Sequence, residues 1–193
     1  MINHDTIIVI GGGSSVKSMD VTEICKRGYS IGINGSSLAA SVDIGLSMDR
    51  RWAETYHKDI VDKPFWLRKT FHKWPELRSF SCDHESDVFS ETEGKLNGRH
   101  SGYCGFNLAY QMNPKTIYLF GFDMGGNYWH NPYPWKGKEK DRLYKVWIAG
   151  FNVARRMCDK KGIKVYVVGD SKINYFPKIS YKQFLQMETI KNA

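Results

Sequence analysis

The chain has 193 residues, a length that predicts one domain with a full hydrophobic core. Hydrophobic residues make up 41% of it and charged residues 25%, which is typical of a soluble globular protein. No apolar run approaches the ~20 residues of a membrane span, and the N-terminus lacks the pattern of a signal peptide, so we expect a cytoplasmic protein without a membrane span. The four cysteines match no metal-binding spacing, which indicates reduced thiols.

Among the overall properties of the chain, the formal net charge of +8 at pH 7 says most about possible binding partners. A basic protein attracts polyanions, which here means nucleotides, nucleic acid or anionic glycans. A basic surface that only keeps the protein soluble is an equally good interpretation. Aromatic residues are concentrated between residues 128 and 147, beside basic residues, and this combination can stack on bases or sugars.

The β-branched run at residues 6–10 is typical of a central strand that is buried on both faces. A polar glycine turn follows it: Gly11, Gly12, Gly13 and Ser14. Glycines let the backbone approach a ligand closely, and the N-terminus of the helix predicted at residues 16–26 favours an anion. We therefore predict a loop that binds the phosphate of a nucleotide. The spacing fits neither the dinucleotide fingerprint nor the P-loop, so a glycine turn that binds nothing is the alternative.

The rest of the chain alternates between strands and helices. Strands are predicted at residues 29–33, 42–48, 115–120 and 163–168, and helices at 50–58, 102–112, 141–159 and 181–191. Residues 60–98 are predicted to be a polar, irregular excursion, with one candidate strand at 77–81, and residues 175–180 to be a turn. The alternation predicts a single Rossmann-like α/β domain over residues 1–193, with a mainly parallel sheet and helices on both faces.

Polar side chains follow three of the predicted strands: Asn34, Asp49 and Asp123. In open α/β sheets, ligands bind at the carboxyl ends of the strands. Asn34 is thus placed to contact the sugar or base of a nucleotide, although a turn residue before glycine is its common role. Asp49 is fully explained as the N-cap of the next helix.

Only one histidine, His130, is a candidate for a functional role. His130 lies at the centre of the aromatic loop, where it is either a functional group or a loop residue packed among aromatic rings. His72, His84 and His100 lie in or beside the irregular region and show no metal-ligand spacing. We expect these three to be surface residues.

Four blocks of the sequence resemble one superfamily in their order and spacing. They are IVIGGGSSV, GINGSSLAASVDIGLSMDRRW, SGYCGFNLAYQMNPKTIYLFGFDM and GIKVYVVGDSKINYFPKIS. They look like the Rossmann-type domain shared by bacterial sialyltransferases that use CMP-sialic acid and by the MptE-like group, which includes archaeal 6-hydroxymethylpterin diphosphokinases. Small versions are frequent in bacteriophages, so the resemblance implies a phage protein acting in the bacterial cytoplasm. It covers most of the chain except residues 60–95.

The resemblance also implies roles for particular residues. In the sialyltransferases the first glycine turn holds the phosphate of the donor, which corresponds here to Gly11, Gly12, Gly13 and Ser14. Further nucleotide contacts are implied for Asn34, Ser101, Gly102 and Asp123. A downstream histidine acts there as general base towards the acceptor hydroxyl, and His130 is the candidate. Tyr128 and Tyr133 correspond to tyrosines that assist departure of the leaving phosphate.

Three functions follow from these observations. The first is glycosyl transfer from a CMP-sugar or another nucleotide sugar, without a metal, to a glycan or a nucleic-acid base, the latter being DNA modification. The second is Mg²⁺-dependent diphosphoryl transfer, with Asp49 and Asp123 as metal ligands. The third is a non-catalytic protein that binds a nucleotide or nucleic acid. The oligomeric state stays open, and a homo-oligomer is compatible with the sequence.

Overall fold

A computed structural model describes residues 4–69, 74–125, 128–130 and 141–187. In these residues, eight parallel strands form one sheet in the order β5-β4-β3-β2-β1-β6-β7-β8. The strands are β1 (Thr6–Ile10), β2 (Tyr29–Ile33), β3 (Ile44–Ser47), β4 (Phe65–Arg68), β5 (Arg78–Phe80), β6 (Thr116–Phe120), β7 (Lys164–Val168) and β8 (Lys178–Ile179). The chain leaves β1 towards β2 on one side and returns through β6 on the other, so the direction of the connections reverses at β1.

Helices surround this sheet, as the predicted Rossmann-like α/β class requires. They are α1 (Val21–Cys25), α2 (Ser36–Ala39), α3 (Arg50–Ile60), α4 (Ser101–Gln111), α5 (Asp141–Lys161) and α6 (Tyr181–Gln186), and a short 3₁₀ turn spans Ser14–Val16. The C-terminal part of the helix predicted at residues 181–191 lies outside the described residues beyond residue 187. None of the described helices is both long and apolar enough to cross a membrane.

The central strand β1 is buried on both faces, as its β-branched sequence predicts. Ile7 and Val9 belong to the core cluster that includes Phe106 of α4 and Phe151 of α5. Ile8 and Ile10 belong to the cluster on the opposite face, with residues of α1 and α6. All four β1 side chains are fully inaccessible to solvent. This burial holds rigid the strand whose end leads into the glycine turn.

Two of the helices begin at aspartate caps, of which Asp49 was predicted. The Asp20 carboxylate accepts a hydrogen bond from the Glu23 amide at 3.0 Å and starts α1. The Asp49 carboxylate accepts one from the Trp52 amide at 3.1 Å and starts α3. Each carboxylate satisfies an amide that has no partner within its helix and complements the helix dipole.

The structure differs from the predicted elements in several places, and the short helix α2 was not predicted. The helix predicted at residues 16–26 is interrupted, because the 3₁₀ turn ends at Val16 and α1 begins only at Val21. Strand β4 was not predicted, and β8 lies within the predicted turn at 175–180. Helix α4 begins one residue earlier than predicted, at Ser101, and His100 caps it.

The segment that the sequence marks as a polar excursion is anchored to the sheet and to α4. Strands β4 and β5 extend the sheet at its edge. The buried Asn107 of α4 accepts hydrogen bonds from the amides of Ser90 and Asn97, at 2.9 and 2.8 Å. Phe89 and Leu96 lie in the main core. Buried amides need such partners, so Asn107 fixes the path of a segment that has little regular structure of its own.

Candidate functional site

A cavity of about 590 Å³ opens at the carboxyl ends of the central strands, where the connections reverse at β1. Its volume is that of a small-molecule site, and its position is the usual ligand position in open α/β sheets. The walls include most of the predicted site residues: Gly11, Gly12, Gly13, Asn34, Asp49, Ser101, Gly102 and Tyr128. Ser14, Asp123 and His130 are not among the lining residues, and Tyr133 lies outside the described residues.

The glycine turn is packed closely against the turn that follows β6. The Gly11 amide donates to the Phe120 carbonyl at 2.7 Å, and the Gly13 amide donates to the Gly121 carbonyl at 2.9 Å. A Cβ atom on Gly13 would collide with the Asp123 carboxyl group and with the Gly121 carbonyl oxygen. Close approach of two backbone segments therefore explains the glycines here, and two of the turn's amides are already engaged within the chain.

The Asp123 carboxylate occupies the start of the 3₁₀ turn. It accepts hydrogen bonds from the Ser15 amide at 2.8 Å, the Ser15 hydroxyl at 2.5 Å and the Ser14 hydroxyl at 3.3 Å. These contacts put a negative charge where the predicted phosphate loop would hold its phosphate. An anionic ligand at Ser14 and Ser15 would therefore meet repulsion as well as competition for the same donors.

Asn34 lies at the cavity wall at the end of β2, as predicted from its position. Its backbone is in the left-handed region, with φ 51°, and its amide donates to the Leu46 carbonyl at 3.0 Å. Asparagine tolerates this conformation better than most residues. The side-chain oxygen is buried and has no hydrogen-bond partner among the described residues. A ligand group is a natural partner for such an atom, because buried polar atoms in proteins are nearly always satisfied.

The prediction that His100 lies on the surface is wrong, because this residue lines the cavity at the N-terminus of α4. Its Nδ1 accepts a hydrogen bond from the Tyr103 amide at 3.3 Å, and its ring packs on Trp147 with centroids 4.7 Å apart. Burial lowers the pKa of His100 to about 3, so the imidazole is neutral at pH 7. With Nδ1 as the acceptor, the proton of the neutral ring is on Nε2.

The described part of the aromatic loop, residues 128–130, lies directly against the glycine turn. The Trp129 indole donates to the Gly11 carbonyl at 3.0 Å, and the Trp129 amide donates to the Gly12 carbonyl at 3.2 Å. The His130 ring stacks on Tyr128, with centroids 5.2 Å apart, and lies close to Gly12 and Gly35. His130 thus lies behind Tyr128, which lines the cavity, and does not line the cavity itself.

The two carboxylates of the magnesium alternative have different surroundings. Asp49 lines the cavity, and one of its oxygens caps α3. Asp123 is engaged by Ser14 and Ser15. Within the described residues, no group of three histidine, cysteine, aspartate or glutamate side chains is arranged to hold a metal ion.

Sequence reasoning did not identify several further lining residues. Arg50 and Arg99 add positive charge to the walls, and Phe122 and Trp147 add aromatic surface. Arg50 pairs with Glu54 at 2.9 Å and Arg99 with Asp87 at 3.1 Å. Arg50 could have been found from the sequence, because it directly follows the predicted cap Asp49 at the end of a strand. Trp147 could not, because it reaches the cavity only through the packing of α5.

The chain is thus an α/β protein with a Rossmann-like sheet and a cavity where the connections reverse at β1. Comparison of the chain with protein-family models, with curated proteins and with solved structures finds no match. The resemblance to the sialyltransferase and MptE-like superfamily therefore stays a prediction based on the four sequence blocks.

Proposed function

We propose that this protein binds a nucleotide sugar in the cavity and transfers its glycosyl group, without a metal, to an acceptor hydroxyl or nucleic-acid base. The main support is the cavity itself. It combines the volume of a nucleotide site with aromatic surface, two arginines and the N-terminus of α4, at the ligand position of a Rossmann-like sheet. Aromatic rings suit a base or sugar, and the positive groups suit a phosphate.

In the proposed reaction the bond between the anomeric carbon of the sugar and the phosphate oxygen breaks, and a bond from the acceptor oxygen to that carbon forms. The electron pair of the broken bond stays on the phosphate, which leaves with the nucleotide. His130 would take the proton of the acceptor hydroxyl, a role that suits an imidazole near neutral pH. Support for His130 is its stacking on Tyr128 at the cavity wall. Tyr128 would donate to the leaving phosphate.

The first test is a thermal-shift panel with CMP, UDP, GDP, ADP, ATP and their common sugar conjugates, each with and without Mg²⁺. A ligand that binds only the folded protein raises its melting temperature. Stabilisation by one nucleoside phosphate or its sugar conjugate without Mg²⁺ would support the proposal and identify the donor. A shift that requires both ATP and Mg²⁺ would instead favour diphosphoryl transfer with Asp49 at the metal. No shift with any nucleotide would refute the proposal.

The second test separates catalysis from binding. His130→Ala should lower turnover of the identified donor by roughly 10²–10⁴-fold, the usual contribution of a general base, while donor affinity changes little. His84→Ala is the matched control, because His84 is exposed and outside the cavity. Full turnover in the His130 variant would refute its role as general base. Donor binding without turnover in the wild type would favour the non-catalytic alternative.

A further inference from the structure

The N-terminal turn of α4 presents two donors to the cavity. Ser101 and Gly102 both line it, and within the described residues their backbone amides make no hydrogen bond. The helix extends over 11 residues, from Ser101 to Gln111, so its dipole is directed at this point. The Ser101 hydroxyl oxygen accepts from the Met48 amide at 3.1 Å, which fixes this turn against the end of β3.

His100 supplies an independent observation at the same place. Its Nδ1 is occupied by the Tyr103 amide, so Nε2 carries the proton. Nε2 is buried and has no partner among the described residues. A buried N–H group without an acceptor is costly and rare in proteins. An acceptor atom of a ligand would satisfy it.

The competing anion position is the glycine turn, and the chain's own carboxylate fills it. Asp123 accepts the Ser15 amide and both serine hydroxyls of the 3₁₀ turn. The Gly11 and Gly13 amides donate to backbone carbonyls. A phosphate at the glycine turn would therefore meet the negative charge of Asp123 and amides of Gly11, Gly13 and Ser15 that are already engaged. At α4, the amides of Ser101 and Gly102 make no hydrogen bond within the described residues.

We infer that the phosphate of the ligand binds at the N-terminus of α4, where the amides of Ser101 and Gly102 and the neutral His100 Nε2–H donate to its oxygens. His100 is then a binding residue: its Nε2–H donates a hydrogen bond to a phosphate oxygen, and its Nδ1 caps α4. This inference builds on the proposed function, because it assigns the phosphate of the same ligand to a subsite.

The test measures binding of inorganic pyrophosphate by isothermal titration calorimetry, which requires no knowledge of the base or the sugar. His100→Asn keeps an oxygen that can cap the Tyr103 amide but removes Nε2–H, so binding should weaken about tenfold. His100→Asp keeps the cap and adds a negative charge, so binding should weaken further. Circular dichroism checks that both variants remain folded, and His84→Asn is the matched control.

Three results of the pyrophosphate titrations would overturn the inference: no pyrophosphate binding to the wild type at millimolar concentration, wild-type affinity in both His100 variants, or a gain in affinity in Asp123→Asn. The last result would place the anion at the glycine turn, where removing the Asp123 charge relieves repulsion. Failure of the proposed function is distinguishable from these outcomes. Pyrophosphate binding that depends on His100, with no nucleotide bound, would keep the subsite and refute the nucleotide-sugar assignment. Nucleotide-sugar turnover that is unaffected by the His100 variants would support the proposed function and refute the phosphate subsite at α4.

Discussion

Asp123 stabilises the fold in this structure, and its replacement by asparagine tests that role. Asp123→Asn keeps the shape of the side chain but removes its charge. A hydrogen bond to a charged group contributes about 1 kcal/mol more than a neutral one. Two of the bonds to Asp123, from the amide and the hydroxyl of Ser15, are 2.8 and 2.5 Å long. We therefore expect Asp123→Asn to lower the free energy of unfolding by about 2 kcal/mol.

For a chain of this length, that change corresponds to a fall in melting temperature of roughly 4–8 °C. Thermal unfolding followed by circular dichroism measures it. The matched control is Asp170→Asn, the same chemical change at an exposed carboxylate after β7, which should shift the melting temperature very little. If Asp123→Asn left the melting temperature unchanged or raised it, the carboxylate would not be a structural partner of the 3₁₀ turn. A ligand-binding role would then be the better explanation.

Three further predictions follow from the same region and from the core. Gly13→Ala should destabilise the protein in urea unfolding, because its Cβ meets the Gly121 carbonyl, whereas Gly125→Ala meets only a flexible lysine and should be tolerated. The unfolded state takes up a proton at His100 below pH ~6.5, but the native state does not until about pH 3. The free energy of unfolding should therefore decrease as the pH is lowered from ~6.5 to about 3. In His100→Asn the slope of stability against pH should be smaller by up to about 1.4 kcal/mol per pH unit, measured by urea unfolding across this range. The thiols of Cys82 and Cys104 are 3.8 Å apart, so diamide should oxidise them to a disulfide and take up their two hydrogens. Peptide mass mapping would detect the cross-link, and its absence in treated wild type would show that the pair does not close.

The central sheet was predictable because local sequence determines it. The β-branched run at residues 6–10 and the run at 29–33 match β1 and β2 residue for residue. Strand β4 was missed because its four residues follow Pro64 directly and become a strand by pairing with β3. Two-residue β8 likewise depends on its pairing with β7. Pairing between distant segments leaves little trace in local periodicity.

The position of the site was predictable, but the roles of its charged groups were not. The three glycines of the turn and Asn34 line the cavity because they follow strands of a parallel sheet. The burial of His100 depends on Trp147, which α5 brings from a distant part of the chain. Asp123 bonds to Ser15 only because the turns that follow β1 and β6 approach each other closely. Both contacts are tertiary, so composition and spacing could not reveal them.

The register of the central strand has a consequence for how the chain reaches its native state. Ile7 of β1 pairs with Tyr29 of β2, which follows early in the chain, and with Ile117 of β6, which is synthesised much later. Until β6 emerges from the ribosome, β1 has one open, apolar edge that can pair with another chain. Contacts between such distant segments also slow folding. Refolding from denaturant should therefore be slow and should lose yield to aggregation as the protein concentration rises.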